Sequence, residues 1–385
     1  MQLWDGFEEM RAPGSGRRVI QLTSGPGICY PLYYFIPSFT AEAGRLVYHR
    51  AQDGGVQLFV LDLRSGESTQ LTHASAPSTR WIPWCVESGA GVLDHRSVLD
   101  VKREQVIYFD GNDVRRVALD GLHDQRLFTL PEDRIAIGQN CISADGEWLV
   151  YIHHDRQGFD EVYPQGKRLE GDRSKSRGTV LAAYHLESGE QRRLVTLNSP
   201  IHHVQPYLNN SFVFCHPTME NGMLYTDIHG GWYTHLRTQD EFGGCVCHHI
   251  TTRRGIAYEV LGGSNGVWAG MYNPLNHQRF ELRLPDHFGY THTGWDAEGL
   301  LWFYENQSDT VHDLHFLARH NPGGTDQWLQ LCSDWPTFGK GQKAHFHPQV
   351  TPDRRWILLT AGDPRSQSNH MFLLNIEDLQ PTAGV

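Results

Sequence analysis

Gln342, His345 and His347 stand close together in the stretch GQKAHFHPQV (341–350). Two imidazole nitrogens and a carboxamide oxygen suit manganese, iron or zinc, and the set includes no thiolate. On an extended chain alternate residues share a face, so His345 and His347 can point together while Phe346 points into the blade. Pro348 and Pro352 stiffen the segment and help to hold ligand geometry. A competing centre is Cys245-Val246-Cys247-His248-His249, but it lacks the second ligand pair of a structural zinc site. The chain holds 23 histidines, so any pair acquires meaning only from the elements that position it.

Those elements read as strands. RLVYHRA, QLFVLDL, EQVIYFD, EWLVYIHH, SFVFCHP, GIAYEVL, LLWFYEN and RWILLTA are short runs rich in β-branched and aromatic residues on a period near two. Turn signals such as RSGE (64–67), ADGE (144–147) and ESGE (187–190) separate them. A turn-forming tetrapeptide followed by a strongly apolar strand can be placed around Thr40, Glu87, Ala144, Asn209, Thr252, Ala297 and Pro352. The gaps of 47, 57, 65, 43, 45 and 55 residues predict an all-β, seven-bladed β-propeller of four-stranded antiparallel blades. An irregular pair of β-sandwiches is the alternative. The last unit ends with HMFLLNIEDL as its third strand, and the N-terminal RRVIQLT resembles the fourth strands elsewhere. The chain start is therefore expected to close the ring and remove a sheet edge, making residues 1–385 one domain.

Within this repeat the histidines fall in phase. The segment just before each innermost strand lies near the mouth of a propeller's central channel. His292 and His347 each lie five residues before their turn, His345 seven, His248 four, and His202 and His203 seven and six. Four consecutive units thus bring imidazoles, which serve as metal ligands and as neutral-pH bases, toward one place. His248 is expected to face the channel, with His249 turned toward its own blade and Cys245 and Cys247 as small strand residues.

The bulk composition narrows the functions. A net charge of -11 argues against a general nucleic-acid binder, although a local positive site for a small anion remains compatible with it. No stretch is apolar enough for a membrane span, and the start MQLWDGFEEMRAPGSG has no basic-then-apolar run. The seven scattered cysteines suggest reduced thiols. These features together predict a cytoplasmic protein.

The run Gln342-x-x-His345-x-His347-Pro348-x-x-Thr351-Pro352 resembles the signature of the oligogalacturonate lyases. SFT near residue 40, FCH at 214–216 and Thr291-His292 extend the likeness along the chain. The resemblance implies a seven-bladed β-propeller enzyme that uses Mn2+ or another divalent metal. It places metal ligands on His292, Gln342, His345 and His347 and the proton-abstracting base on His248, with His249 as the alternative. Two features depart from the family pattern. Cys29-Tyr30-Pro31 stands where a Cys-His-Arg is usual, and the NGML run (221–224) stands where a carboxylate-binding arginine is expected.

The implied reaction is β-elimination on a short 4-linked uronate oligosaccharide, an acidic partner whose flanking carboxylates need cations. Arg80 and, in the basic stretch GKRLEGDRSKSRG (166–178), Lys175 and Arg177 are candidates, and His203 is expected to line the substrate pocket. Two other readings use the same fold. One is a non-enzymatic TolB-like propeller that binds a protein; the other is a metal-dependent sugar hydrolase or epimerase.

Overall fold

The computed structural model describes residues 1–79, 89–162, 178–198, 200–215, 222–237, 245–263, 266–288, 292–307, 311–321, 324–339 and 341–381. Seven antiparallel sheets follow one another in chain order and form a seven-bladed β-propeller. The innermost strands of blades one to seven are Ile28–Pro31, Val98–Asp100, Cys141–Ile142, Val204–Tyr207, Cys245–Thr251, Thr293–Trp295 and Gln349–Val350. In the third blade Arg134–Ala136 pairs with the same neighbour as Cys141–Ile142, Trp148–Asp155. The only α-helix among the described residues is Arg156–Val162. No helix there is long and apolar enough to cross a membrane.

Alternation along the strands supplies the cores, which lie between adjacent blades. Phe303, Phe316 and Leu314 of the sixth blade meet Ile357, Leu359 and Phe372 of the seventh, with Phe346 between them. Ile20 and Leu22 pack with Leu46, Tyr48, Leu358 and Leu373 where the last blade meets the first. The ring closes as the sequence predicts: Arg18–Gln21 pairs with Ser368–Asn375, placing Val19 opposite Leu374 and Ile20 opposite Leu373. Glu8–Arg11 then adds a fifth strand outside it, which the repeat pattern did not anticipate.

One repeat boundary differs from the sequence expectation. The turn that precedes the apolar strand Gln105–Asp110 lies at 101–104, whereas the sequence placed it near Glu87, which falls outside the described residues. The ESGA run misleads because it leads into Ala90–Gly91, an extra strand that pairs in parallel with Gly55–Asp62 of the first blade. With the boundary corrected, His95 lies six residues before Val101 and joins the in-phase histidines.

Candidate active site

Three of the channel histidines owe their aim to backbone that residues with a Cβ rarely adopt. His95, His248 and His347 have φ of 57°, 47° and 48°. Such conformations cost about 1–3 kcal/mol each and persist only where the surroundings enforce them. At His248 the enforcing feature is a bulge. Cys247 pairs with Glu259, but the ladder resumes with Ile250 opposite Ala257, leaving one extra residue in the His248-His249 pair. A bulge of this kind re-aims side chains. His248 turns into the channel. His249 turns not into its own blade, as the sequence suggested, but toward the fourth, where its Nε2 lies 3.1 Å from the Val213 carbonyl oxygen. The extra residue breaks the strict alternation on which that expectation rested.

His345 and His347 are set by the residue between them. Phe346 is fully buried in the core between blades six and seven. Its N–H donates to Glu305 Oε1 at 2.8 Å, and its carbonyl accepts from Thr360 N at 2.9 Å. With Phe346 pinned inward, both flanking imidazoles face the channel. Here they meet His292, and the three rings offer donor atoms within 4.8 Å of one another. His345 Nδ1 lies 3.4 Å from His292 Nδ1, and the His292 and His347 ring centres are 4.7 Å apart. Gln342, in the turn Gly341–Ala344, presents Oε1 2.7 Å from His347 Nε2. His248 stands beside this group with its ring centre 4.6 Å from that of His292.

Behind the imidazoles lie two buried carboxylates. Glu259 Oε2 is 2.9 Å from His248 Nδ1. Glu305 receives His292 Nδ1 at 3.3 Å and His312 Nδ1 at 2.6 Å. Burial raises the Glu259 carboxyl, against the lowering effect of its hydrogen bond to His248. Burial also pushes Glu305 up, but its bonds to two histidines outweigh that and hold it well below the usual carboxylate range. The clustered imidazoles are driven the other way. Burial, offset in part by Glu305, lowers His292 to about 4. Burial and the neighbouring His292 lower His345 to about 3, and the same causes with His345 hold His347 well below its ordinary value. Neutral imidazoles, with lone pairs available, are what a metal requires.

Tyr33 and Tyr34 floor the group. They sit in a tight turn of the first blade, where Tyr33 bridges Ile36. The Tyr33 ring centre is 4.7 Å from His347 and that of Tyr34 is 4.8 Å from His292. His203 borders the same space, 5.7 Å from Tyr33 and 6.0 Å from His248 between ring centres. It is held there by backbone pairing of Gln139 with His202 and His203. Gly138 permits that approach, because a Cβ there would lie 2.3 Å from the His202 carbonyl oxygen. A cavity of about 640 Å³ opens on the far side of Tyr34 and Phe35, ringed by the repeat turns at Ala41, Lys102, Asp145, Ala297 and Pro352. No histidine lines it among the described residues, so it is not the chemical centre.

The structure therefore brings together His248, His292, Gln342, His345, His347 and His203. Arg80, Lys175, Arg177 and His216 lie outside the described residues, as do the side chains of Cys245 and Cys247. Sequence reasoning missed His95, Tyr33, Tyr34, Glu259 and Glu305. The carboxylates left a signal: Tyr258-Glu259 and Tyr304-Glu305 repeat the same pair on the second strands of blades five and six. An ionisable residue amid such apolar strands is costly unless paired.

The donor set fits a divalent metal. His347 Nε2 donates to Gln342 Oε1, which leaves the lone pair on Nδ1, and that buried nitrogen has no hydrogen-bond partner. Three imidazoles and a carboxamide form a nitrogen and oxygen set of the kind manganese, iron or zinc accepts.

Known proteins share this architecture and are similar in sequence. The oligogalacturonate lyase family model matches residues 5–260, more than half of the chain, including His248 and its bulge. The oligogalacturonate lyase of Dickeya dadantii (strain 3937) is 22% identical over 370 residues, covering 90% of each chain. The oligogalacturonide lyase of Pectobacterium atrosepticum is 20% identical over 377 residues, covering 92% of each. Among solved structures, an oligogalacturonate lyase in complex with manganese superposes with a TM-score of 0.76 at 20% identity, covering 98% of this chain and 99% of its own. The Vibrio parahaemolyticus oligogalacturonate lyase superposes at 0.75 with 18% identity and 99% coverage of both. The family model matches more than half of the chain, and the chain belongs to the oligogalacturonate lyase family.

Proposed function

We propose that this protein is a manganese-dependent lyase that cleaves short 4-linked galacturonate oligosaccharides by β-elimination, with His248 as the base. The observation that carries the reading is the meeting of His292, His345 and His347 from two blades beside a carboxylate-held His248. Family membership supports the substrate class, and the superposable lyase in complex with manganese supports the metal.

In the elimination, the base removes the proton at C5, which is α to the carboxylate. The C–H electrons form the C4=C5 double bond, and the C4–O bond breaks toward the departing sugar. His292, Gln342, His345 and His347 would hold the metal. Bound there, it supplies positive charge against the substrate carboxylate, whose own charge otherwise leaves C5–H barely acidic. His248 takes the proton on Nε2 while Glu259 holds Nδ1–H, so the carboxylate fixes the tautomer that leaves Nε2 basic. Tyr33 and Tyr34, both buried against His347 and His292, would keep bulk water from the floor of the site. Arg80, Lys175 and Arg177 are assigned to the carboxylates of flanking sugars.

Incubation with galacturonate oligosaccharides should produce the ultraviolet absorbance of an unsaturated uronate when manganese is present and not after its removal by chelator. Cleavage without that absorbance would mean hydrolysis instead. Glu259→Gln should lower kcat roughly 10- to 100-fold and shift the alkaline-rising limb of the pH–rate profile, with KM little changed. An unmoved profile would leave Glu259 a packing residue only. His345→Ala should weaken manganese binding by more than the roughly 100-fold typical of losing an outer partner, read by calorimetric titration. Alanine at Arg80, Lys175 or Arg177 should raise KM for longer oligomers about 10-fold, an ion pair's worth, and leave kcat alone. An unaltered KM for all three would remove them from the substrate path.

A further inference from the structure

We infer a second metal site, of different chemistry, on the other side of His248: His203, Cys215 and His249 form a buried Cys-His-His centre for a thiophilic divalent ion such as zinc. It is independent of the manganese reading, because it shares no residue with His292, Gln342, His345 and His347.

The three residues come from separate segments of blades four and five. His203 precedes the strand Val204–Tyr207, Cys215 ends Ser211–Cys215, and His249 is the second residue of the bulge in Cys245–Thr251. They can bring one donor atom each within 4.8 Å of the others, and all three are buried. Cys215 Sγ lies 3.4 Å from His203 Nδ1. A tetrahedral zinc with ordinary bond lengths separates sulfur from nitrogen by about 3.5 Å, so this pair already has the spacing of two ligands.

A thiol hydrogen-bonded to imidazole would give the same distance; His249 supplies the observation that favours a metal. Its Nε2 faces the Val213 carbonyl at 3.1 Å and must carry the proton there. The lone pair therefore sits on Nδ1, which is buried and has no hydrogen-bond partner. A packing histidine in so dry a place leaves that nitrogen unsatisfied; a metal ligand does not. The backbone carbonyl on the far nitrogen is also the usual outer partner that fixes a ligating histidine's tautomer. Burial and the charges of surrounding histidines hold His203 well below its ordinary pKa, and burial lowers His249 to about 3, so both stay neutral.

The ligand sets sort the metals. A thiolate favours zinc or cobalt over manganese, whereas the nitrogen and oxygen set around His292 makes no such demand. Two ions of different softness would thus flank His248.

The test uses the full-length protein, stripped with chelator and reloaded with cobalt(II) alone. Wild type should develop the intense near-ultraviolet sulfur-to-cobalt charge-transfer band that only a thiolate ligand gives. Cys215→Ser should lose the band and one equivalent of bound zinc, yet keep manganese. His345→Ala should lose manganese and keep the band. Absence of the band in cobalt-loaded wild type, or its survival in Cys215→Ser, would overturn the site. The wild-type spectrum needs no variant to fold, so absence of the band overturns the site even if a substitution destabilises the blade. Loss of manganese from the His345 variant with the band intact separates the fate of this centre from that of the first.

Discussion

His248→Ala should lower turnover of galacturonate oligosaccharides by roughly 10²- to 10⁴-fold, the range that a positioned general base contributes, while manganese still binds at the wild-type ratio. The split follows from the geometry. His248 stands beside the histidine trio with its ring 4.6 Å from His292, but the three rings of that trio are fixed by other contacts. His292 is held by Glu305, and His345 and His347 by the pinned Phe346. Truncation should also leave the blade intact. Burial already raises the Glu259 carboxyl, so once its partner is gone it can take a proton instead of remaining a buried anion. His249 is oriented differently, its Nε2 tied to the Val213 carbonyl in the next blade. Steady-state rates from the ultraviolet assay, with manganese content measured on the same sample, decide the matter. Full activity in the variant would remove His248 as base, and loss of manganese would make it a ligand.

The ring and most of the centre were legible because both depend on periodic features. Period-two strands and recurrent turns gave the blades, and counting back from the turns found His248, His292, His345 and His347. The count failed where the chain departs from its repeat. The extra parallel strand Ala90–Gly91 imitates a blade start, so the count set its turn too early and passed over His95. The aim of His249 was hidden by a bulge, a one-residue insertion that reverses faces and leaves no mark in hydropathy. Glu259 and Glu305 escaped for another reason. A carboxylate on a strand usually faces solvent, and only the three-dimensional pairing with His248, His292 and His312 accounts for full burial. Tyr33 and Tyr34 lie in a turn that reaches the channel from the first blade, far in sequence from the histidines they touch. No local pattern encodes such a contact.

Metal-free protein should unfold on mild acidification, at a midpoint near pH 5, and manganese should move that midpoint to lower pH. The cause is the number of imidazoles buried in neutral form. Burial lowers His49 and His292 to about 4 and His95, His249 and His345 to about 3, against about 6.5 in an unfolded chain. Above pH 6.5 both states are neutral and these groups do not distinguish them. As the pH falls below that value the unfolded chain takes up protons that the folded chain refuses, so stability drops until the folded values near 4 and 3 are reached. By pH 4.5 each such histidine removes about 2–3 kcal/mol, and the five together rival the roughly 5–15 kcal/mol that holds a typical domain. Carboxylates cannot produce this window. Glu305 is held well below the usual range, so its protonation weakens the fold only at still lower pH. Manganese held by deprotonated imidazoles would favour the folded state, and mass action would then oppose the proton uptake that drives unfolding. Thermal midpoints by circular dichroism between pH 7.5 and pH 4, with chelator and then with manganese, measure the effect. A midpoint unchanged down to pH 4.5 in chelator would mean that the buried histidines relax and take up protons without cost, and the neutral cluster on which both proposed metal centres depend would not exist.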